Sequence, residues 1–203
     1  TYTDGTKLRD KISTENYNKL KDIFAASGMP ETSYATMKPW AAAITAQKMT
    51  LSKDGYDMSL GIDQHFLSKA TSTGKDIRQL ETADFQMSLF SEFDKVGDSF
   101  IEYTLDNSEM SKAEVDSMIN AWKTGDKEAL DNYINGSRDK YPEFEEAFEK
   151  IIDQRNDNMT KKIEEWLKDD VSIFIVVGAG HLIGKDGIIN QLSKKEKYSI
   201  KNY

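Results

Sequence analysis

The residue with the clearest capacity for chemistry is His181, one of two histidines in this chain of 203 residues. It ends the run Gly178-Ala-Gly-His181, whose glycines permit a tight turn and a close approach of the backbone to a ligand. An imidazole in such a loop can bind a metal ion or act as a general acid or base. The residues alone also leave a plainer interpretation open, in which this histidine only forms hydrogen bonds within its own loop.

The elements on either side of the loop predict that His181 lies at the edge of a sheet. Residues 171–177 are apolar except Ser172 and mostly β-branched, which predicts a strand buried on both faces. Residues 188–192 have apolar side chains at helical spacing, and Asp186 is a candidate cap for that helix. Sites in open α/β sheets form in loops at the carboxyl ends of strands, and this loop has that position.

Three other glycine-rich motifs fit this loop poorly. A dinucleotide-binding loop requires Gly-x-Gly-x-x-Gly, and although Gly178 and Gly180 match, the next glycine, Gly184, comes one residue late. A phosphate-binding loop requires Gly-Lys followed by Ser or Thr, whereas the chain has Gly184-Lys-Asp186. The nucleophile elbow Gly-x-Ser-x-Gly does not occur here. A nucleotide or small-ligand binder that uses this loop is therefore the least favoured function.

Two further groups of residues are candidates for a site. Glu81 ends a predicted strand and precedes a helix, so it could be a ligand, a base or only a partner of the helix dipole. Arg155 and Asn156 lie midway along a helix with an apolar stripe, where they could reach a polar site or face solvent. Asp63 and His65 are two residues apart on a predicted helix and do not share a face, so they do not indicate a metal-binding pair.

The composition argues against several classes of function. The chain has 27 Lys and Arg against 35 Asp and Glu, and a net charge of −8 argues against binding to nucleic acid or to an anionic membrane. Cysteine is absent, which excludes disulfides, thiolate catalysis and cysteine-based zinc sites. No apolar run approaches the length of a transmembrane segment.

The whole chain predicts a helix-rich α/β domain around a small mixed β-sheet. Helices are predicted over residues 14–26, from 39 to about 54, over 60–70, from about 82 to 93, over 99–105, from 111 to about 122, around 130–133 and over 142–168. Strands are predicted over residues 75–81, 171–177 and 197–203. Three strands make a small sheet, and the chain starts without an initiator methionine. We therefore expect that sheet-forming sequence is missing at the N-terminus.

An ordered set of short motifs resembles one protein family. The set consists of Lys38-Pro-Trp40, Gly61-Ile-Asp-Gln-His-Phe66, Leu80-Glu-Thr82 with Gln86, Ala121-Trp-Lys-Thr-Gly-Asp126, Arg155-Asn156 with Met159, and the run from Val176 to Ile189. These motifs resemble the TraB/GumN family, which includes the bacterial GumN-like proteins and the animal Tiki proteases. They extend over nearly the whole chain, from about residue 8 to residue 203.

This resemblance implies one TraB/GumN-like domain over residues 1–203, with a fold similar to the erythromycin-esterase and ChaN folds. The family has two Gly-x-x-His motifs, and this chain has one, which ends at His181. We therefore expect that the domain is truncated at its N-terminus and that the first motif lies before residue 1. GumN-like proteins are commonly exported, so the resemblance also implies a bacterial protein that is exported, at the cell surface or lipid-anchored.

The resemblance further implies an activity. Tiki members are similar to metal-dependent proteases that use both Gly-x-x-His motifs and a glutamate, with manganese or cobalt preferred. On this basis His181 is a predicted metal ligand, and Glu81 and Arg155 are predicted catalytic residues. Predicted supporting positions are Gly178, Gly180, Gly184, Asp63, Gln86 and Asn156, and His65 is a further candidate. We expect a metal-dependent peptidase acting on a peptide or protein, with a non-catalytic peptide- or ligand-binding protein as the alternative.

Overall fold

The computed structural model describes residues 1–108, 112–136, 138 and 141–201. The α-helices are α1 (Thr14–Ala26), α2 (Glu31–Tyr34), α3 (Pro39–Lys53), α4 (Ile62–Ser72), α5 (Ala83–Leu89), α6 (Gly97–Ser108), α7 (Lys112–Thr124), α8 (Lys127–Asn135), α9 (Glu145–Phe148), α10 (Gln154–Trp166) and α11 (Ile188–Ser193). Turns of 3-10 helix cover Leu8–Asp10, Met58–Leu60, Phe90–Val96, Pro142–Phe144 and Ala179–His181, and a π-helical turn covers Glu149–Asp153.

The predicted α/β fold around a mixed sheet is wrong, because the part of the chain that the structure describes contains no β-strand. A strand requires a neighbour that takes up its backbone N–H and C=O groups. Within that part, no backbone hydrogen bond joins residues 171–177 to another segment. Their side chains are also more exposed than a strand buried on both faces allows: Val171 is 59% exposed and Phe174 is 72% exposed.

The other two predicted strands are also irregular in the structure. Residues 75–81 form neither helix nor strand, and the same holds for residues 197–201. Residues 202 and 203, the end of the third predicted strand, lie outside the described residues. Instead of entering a sheet, Tyr198 donates a hydrogen bond from its hydroxyl to Glu164 Oε1 on α10, at 3.1 Å. The terminal segment is therefore attached to a helix through side chains.

The predicted helices are confirmed more often than the strands. The first one spans α1 as predicted, and Pro39 occupies the first turn of α3, where its missing N–H costs nothing. Ser13 caps α1, because its hydroxyl accepts a hydrogen bond from the Asn16 N–H. Residue 111, which was predicted to open α7, lies outside the described residues. None of the described helices is both long and apolar enough to cross a membrane.

The chain divides into two compact units, and the first consists of Thr1–Ser59 and Phe90–Val115. In this unit α3 packs against α1 and α6. Its buried core includes Leu20, Phe24, Ala42, Ala43, Ala46 and Ile101. The small alanine side chains let the helices approach closely. A Cβ added to Gly97 would lie 2.8 Å from Pro39 Cβ, so this position requires glycine as well.

The second unit consists of Leu60–Leu89 and Asp116–Tyr203, and it contains every candidate site residue. Its core cluster is formed by Met159, Ile163 and Ile188, where α10 packs on α11. Five partly buried side chains cover this cluster: Leu80, Ile175, Val177, Leu182 and Leu192. The apolar residues of two predicted strands therefore contribute to the core although no sheet forms.

Candidate functional site

Two adjacent residues on α10 form the centre of the candidate site. Arg155 extends its guanidinium to Glu81, and Asn156 extends its amide to His181. Asn156 is almost completely buried, with 1% of its surface exposed. The helix therefore brings together side chains from three segments of the chain, at residues 81, 155–156 and 181.

The amide of Asn156 determines which nitrogen of His181 carries the proton. Its Nδ2 donates a hydrogen bond to the backbone carbonyl of Asp186 at 3.0 Å, which assigns Oδ1 as the atom that faces the histidine. That Oδ1 lies 2.7 Å from His181 Nδ1, and because an amide oxygen only accepts, Nδ1 is the donor. In the neutral ring, Nε2 then keeps its lone pair.

The surroundings of His181 favour this neutral ring. Burial lowers the pKa of His181, the nearby Arg155 cation lowers it further, and Glu81 opposes the effect; the result is a pKa of about 4. His181 is therefore unprotonated at neutral pH.

Glu81 and Arg155 form a close ion pair. Arg155 Nε lies 3.0 Å from both carboxylate oxygens, and Nη2 lies 2.7 Å from Oε2. Gln86 Nε2 donates to the same Oε2 at 3.2 Å. The two charged side chains are 5% and 16% exposed, respectively. Burial raises the pKa of Glu81, but the hydrogen bonds from Arg155 and Gln86 outweigh it and hold that pKa below its ordinary value.

The π-helical turn at Glu149–Asp153 sets the register of this pair of residues. Phe144 is buried, and in an α-helix the same face returns eleven residues later, after about three turns. That count would bury Arg155. The π turn adds one residue, so Asn156 occupies the buried face, and Arg155 lies beside it. The carbonyl of Ile151, within the turn, accepts a hydrogen bond from Arg155 Nη1 at 3.1 Å.

The glycines around His181 allow the loop to pack closely against α8. A Cβ added to Gly180 would lie 3.2 Å from Ile134 Cγ2. Gly184 has a φ of +78°, and a Cβ there would lie 2.8 Å from Asp131 Oδ1. Gly178 ends the irregular segment, and its carbonyl accepts the His181 N–H at 3.0 Å. Gly180 and Gly184 therefore support the loop by their small size, whereas Gly178 contributes its backbone carbonyl.

His181, Glu81, Gln86 and Arg155 line one groove of the second unit, with a volume of about 1060 Å³. Its other walls come from α4, from residues 75–80 and from residues 171–177. Both irregular segments therefore border the groove that contains the candidate polar residues.

The two predicted site residues on α4 are not brought to this groove. Asp63 and His65 are exposed on α4, and neither lines the groove. The ring of His65 contacts Phe66 edge-on, with the ring centroids 5.2 Å apart.

The residues present fit a metal ion only in part. His181 Nε2 is suited to be a ligand, because a carbonyl oxygen on the other ring nitrogen is the usual orienting partner of a metal-binding histidine. Glu81 is not suited, because both of its oxygens accept hydrogen bonds from Arg155. Among the described residues, no group of three His, Cys, Asp or Glu side chains could hold a metal. They do not make a complete metal site.

Sequence reasoning missed the contribution of Asp186. It was interpreted as a helix cap, but Gly187 is the N-cap residue of α11. The backbone carbonyl of Asp186 instead accepts hydrogen bonds from Asn156 Nδ2 and from Gln191 Nε2. A backbone carbonyl leaves no residue-type signal in a sequence, so this contact could not have been predicted.

The fold and the site define a helix-rich protein with a neutral histidine and a glutamate–arginine pair in one groove. The chain matches the TraB/PrgY/gumN family over residues 1–201 and belongs to that family, as its motifs predicted. The match covers residues 1–201 of this chain and gives no support to the expectation that the N-terminal part of the domain is missing.

The chain is also similar to two curated bacterial proteins. Both are described as "Uncharacterized protein YbaP", one from Escherichia coli (strain K12) and one from Shigella flexneri. Each is 22% identical over 186 residues, which cover 91% of this chain and 67% of the relative. No solved structure is significantly similar to the chain.

Proposed function

We propose that this protein is a metal-dependent hydrolase, most simply a peptidase, with its reaction centre at the His181 end of the groove. The protonation state of His181 carries this proposal: the side chain is largely buried, donates from Nδ1 and presents an unprotonated Nε2. Membership of the TraB/PrgY/gumN family supports it, because the motif that ends at His181 resembles one of the two Gly-x-x-His motifs of the Tiki proteases.

His181 is better suited to be a metal ligand than a general base. A base works best when its pKa lies near the working pH, and a pKa of about 4 makes this imidazole a weak proton acceptor at pH 7. A metal ligand must be unprotonated, and the same low pKa provides that form. Asn156 Oδ1 fixes the tautomer and the ring orientation that such a ligand needs.

The cation would be manganese or cobalt, as the resemblance implies, and it would need ligands in addition to His181. Bound there, it would supply a Lewis acid and an acidified water for attack on an amide. A second Gly-x-x-His motif and a glutamate are what the resemblance implies for the remaining ligands. These 203 residues contain one Gly-x-x-His motif, which ends at His181. The second histidine ligand is therefore proposed from the resemblance alone.

The ion pair would serve the substrate rather than the cation. Arg155 has five N–H groups, and two of them have no partner among the described residues. Since Arg155 lines the groove, these N–H groups could donate hydrogen bonds to a carbonyl oxygen of the substrate and stabilise the negative charge that develops on it. Glu81 would keep the guanidinium in position, and Gln86 would keep Glu81 in position.

A non-catalytic protein that binds a peptide or another ligand in the same groove is the second candidate. The incomplete set of metal-binding side chains among the described residues favours it. In that case the neutral His181 and the spare N–H groups of Arg155 would hydrogen-bond a bound chain. Family membership does not decide between these two functions, because one fold can carry both.

Peptidase activity tests the proposal directly. Purified protein is incubated with Mn²⁺ or Co²⁺ and an internally quenched peptide, and metal binding is measured by calorimetry. We expect His181→Ala to abolish cleavage and weaken metal binding, and Asn156→Ala to reduce both by about 10–100-fold. His65→Ala is the matched control, since it removes the exposed histidine outside the groove.

Two results would change the conclusion. If the protein binds no divalent cation and His181→Ala keeps all of the peptidase activity, a metal-dependent site at His181 is excluded. If no variant and no metal gives cleavage but a peptide binds in the groove, the non-catalytic function is the correct one.

We also propose that the protein acts outside the cytoplasm, exported or attached to the cell surface, as GumN-like proteins are. Fractionation of a bacterium that expresses its full gene tests this, with the protein expected in the periplasmic or membrane-associated fraction. Recovery in the cytoplasmic fraction alone would contradict it.

A further inference from the structure

We infer that the groove binds an extended peptide in which apolar and acidic side chains alternate, and that the backbone of residues 171–177 pairs with it. The inference deepens the proposed function, on which it rests, by naming the chemistry of the chain that enters the groove. Three features of the second unit carry it: a backbone segment without hydrogen-bond partners among the described residues, exposed apolar side chains in the groove and an excess of positive charge.

The backbone of residues 171–177 is available for pairing. In the part of the chain that the structure describes, none of its N–H or C=O groups forms a hydrogen bond with another segment. Backbone groups are strong donors and acceptors, and folded proteins leave few of them unpaired unless water or a ligand reaches them. This segment borders the groove, so a ligand could reach them there.

The side chains of this segment alternate as in an extended chain. Ile175 and Val177 pack on the core cluster of Met159, Ile163 and Ile188. Phe174 directly precedes Ile175, so it lies on the opposite face of an extended chain; it is 72% exposed, and its ring centroid lies 4.8 Å from that of Phe66 on α4. Such a segment has the geometry of a strand without a neighbour, which is the surface that an added β-strand requires.

The charge of the groove is opposite to that of the whole chain. Its charged lining residues are Lys69, Lys75, Asp76, Arg78, Glu81 and Arg155. Each of the two carboxylates is paired with an arginine of the groove. Among the described residues, no carboxylate lies within 4.0 Å of either lysine, and both lysines are exposed. The groove therefore has two uncompensated cations in a protein whose net charge is −8.

These features select a peptide rather than another ligand. A lipid or a small apolar molecule could cover Phe174 but has no repeating N–H and C=O groups to pair with a backbone. Exposed apolar residues of the groove, Leu67 and Ile77 as well as Phe174, favour apolar side chains on one face of the peptide. Lys69 and Lys75 favour acidic side chains, at a strength that falls with added salt. Side chains of an extended peptide alternate between two faces, so a peptide that meets both preferences alternates apolar and acidic residues.

A fluorescence-anisotropy titration tests the inference with a fluorescein-labelled peptide of alternating valine and glutamate, about as long as the groove segment. The comparison peptides replace every glutamate by lysine, or place the same residues in two blocks. We expect the alternating acidic peptide to bind at least about tenfold more tightly than either one. His181→Ala protein is used, so that cleavage does not remove the probe.

Matched variants separate the effect of the groove lysines Lys69 and Lys75 on binding from the effect of net charge. Lys69→Glu/Lys75→Glu is expected to weaken binding about tenfold. Lys21→Glu/Lys48→Glu changes the net charge equally, at exposed lysines of the first unit, and is expected to change binding less than about twofold. N-methylation of the peptide removes backbone N–H donors at the methylated residues. Methylation of every second residue is expected to weaken binding when those N–H groups point toward residues 171–177, and not when the other alternate residues are methylated.

Three results would overturn the inference: equal binding of the acidic and lysine peptides, no alternation in the N-methyl series, or self-association of the protein that blocks the groove with a second copy. The proposed hydrolase fails in a different way. Tight binding without cleavage by wild-type protein would contradict the hydrolase and keep the inference. Cleavage that ignores the charge of the peptide would keep the hydrolase and contradict the inference.

Discussion

At the scale of the residue, the site depends on how two neighbouring side chains divide their hydrogen bonds. Asn156 links the backbone at Asp186 to His181 and so fixes one tautomer. Arg155 commits three donors to Glu81 and to the helix backbone, and its side chain lines the groove. A substitution at either position therefore alters a partner that lies far away in the sequence, and its effects can be measured at that partner.

The low pKa of His181 predicts that stability depends on pH. In the folded protein this pKa is about 4, and in the unfolded chain it is near 6.5, so between these values the unfolded state binds more protons. The free energy of unfolding should therefore fall as the pH is lowered from 6.5 to 4. We expect His181→Gln to reduce this slope by up to about 1 kcal/mol per pH unit, less than a full proton's effect because the ring is partly exposed.

Urea denaturation of both proteins at several pH values measures these slopes, and the difference between them isolates His181 from the other titrating groups. His65→Gln is the control for the loss of an exposed histidine. Equal slopes for wild-type protein and His181→Gln would contradict the assigned protonation state.

The ion pair in the groove predicts energetic coupling. Removing either partner leaves a charge in a largely buried place without its counter-ion, whereas removing both does not. In a double-mutant cycle of Glu81→Gln and Arg155→Met, we expect a coupling free energy of about 2 kcal/mol. Arg78→Met with Asp76→Asn provides an exposed pair of the same groove, where coupling below about 1 kcal/mol is expected. A cycle in which the Glu81 and Arg155 effects simply add would show that the pair is not formed in solution.

At the scale of the element, α10 is positioned by the π turn that precedes it. The helical path from Pro142 to Trp166 has two buried faces that an unbroken α-helix would place out of register, and the extra residue of Glu149–Asp153 reconciles them. The apolar spacing of the sequence predicted a single long helix here. It could not reveal the π turn, because a shift of one residue in the apolar positions is still compatible with helical spacing.

Removal of one residue from this turn should disconnect the site. Deletion of Lys150 restores an α-helical count, which turns either the buried Phe144 or Asn156 off its face by about 100°. We expect a loss of stability of about 3 kcal/mol or more and the loss of the His181 tautomer signal in ¹⁵N spectra of the ring. Lys150→Ala keeps the length of the turn and serves as the control. A deletion variant with unchanged stability and unchanged ring signals would show that the register does not matter.

Helices and irregular segments differ in how far the sequence could predict them. The signals of α1 and α3, a polar residue before the helix or a proline in its first turn, are local and act within a few residues. A strand depends on a neighbouring strand that local sequence does not contain. The apolar run at 171–177 therefore indicated that residues such as Val177 contact the core, but it wrongly predicted a strand. For the site, the motifs predicted His181, Glu81 and Arg155 without their contacts, because those join distant segments.

At the scale of the whole molecule, charge and connectivity constrain function. The chain passes between its two compact units three times, at residues 59–60, 89–90 and 115–116, so neither unit is a continuous stretch of sequence. The net charge of −8 is distributed over both, and the groove is a local exception to it. Any partner that needs a broad basic surface is therefore disfavoured, whereas a short acidic segment can still approach the groove.

This charge balance predicts that the protein does not bind nucleic acid. Affinity for a phosphate backbone requires several contacts with Lys or Arg, each of which releases counter-ions. Lys69 and Lys75 of the groove could supply only two such contacts. We expect no electrophoretic shift of labelled duplex DNA or single-stranded RNA at near-physiological salt and micromolar protein. A shift that disappears in Lys69→Glu/Lys75→Glu would contradict this expectation and identify the groove as the contact.

The segment of residues 171–177, whose backbone is unpaired among the described residues, also affects the tendency of the protein to aggregate. Six of its seven residues have strong β-propensity, and a segment of this kind without charge or proline stacks into cross-β fibrils when chains meet. Asp169 and Asp170 precede it, and in a fibril their charges would repeat every few ångströms and repel one another. Asp169 and Asp170 therefore have the position of gatekeeper residues in front of an aggregation-prone segment.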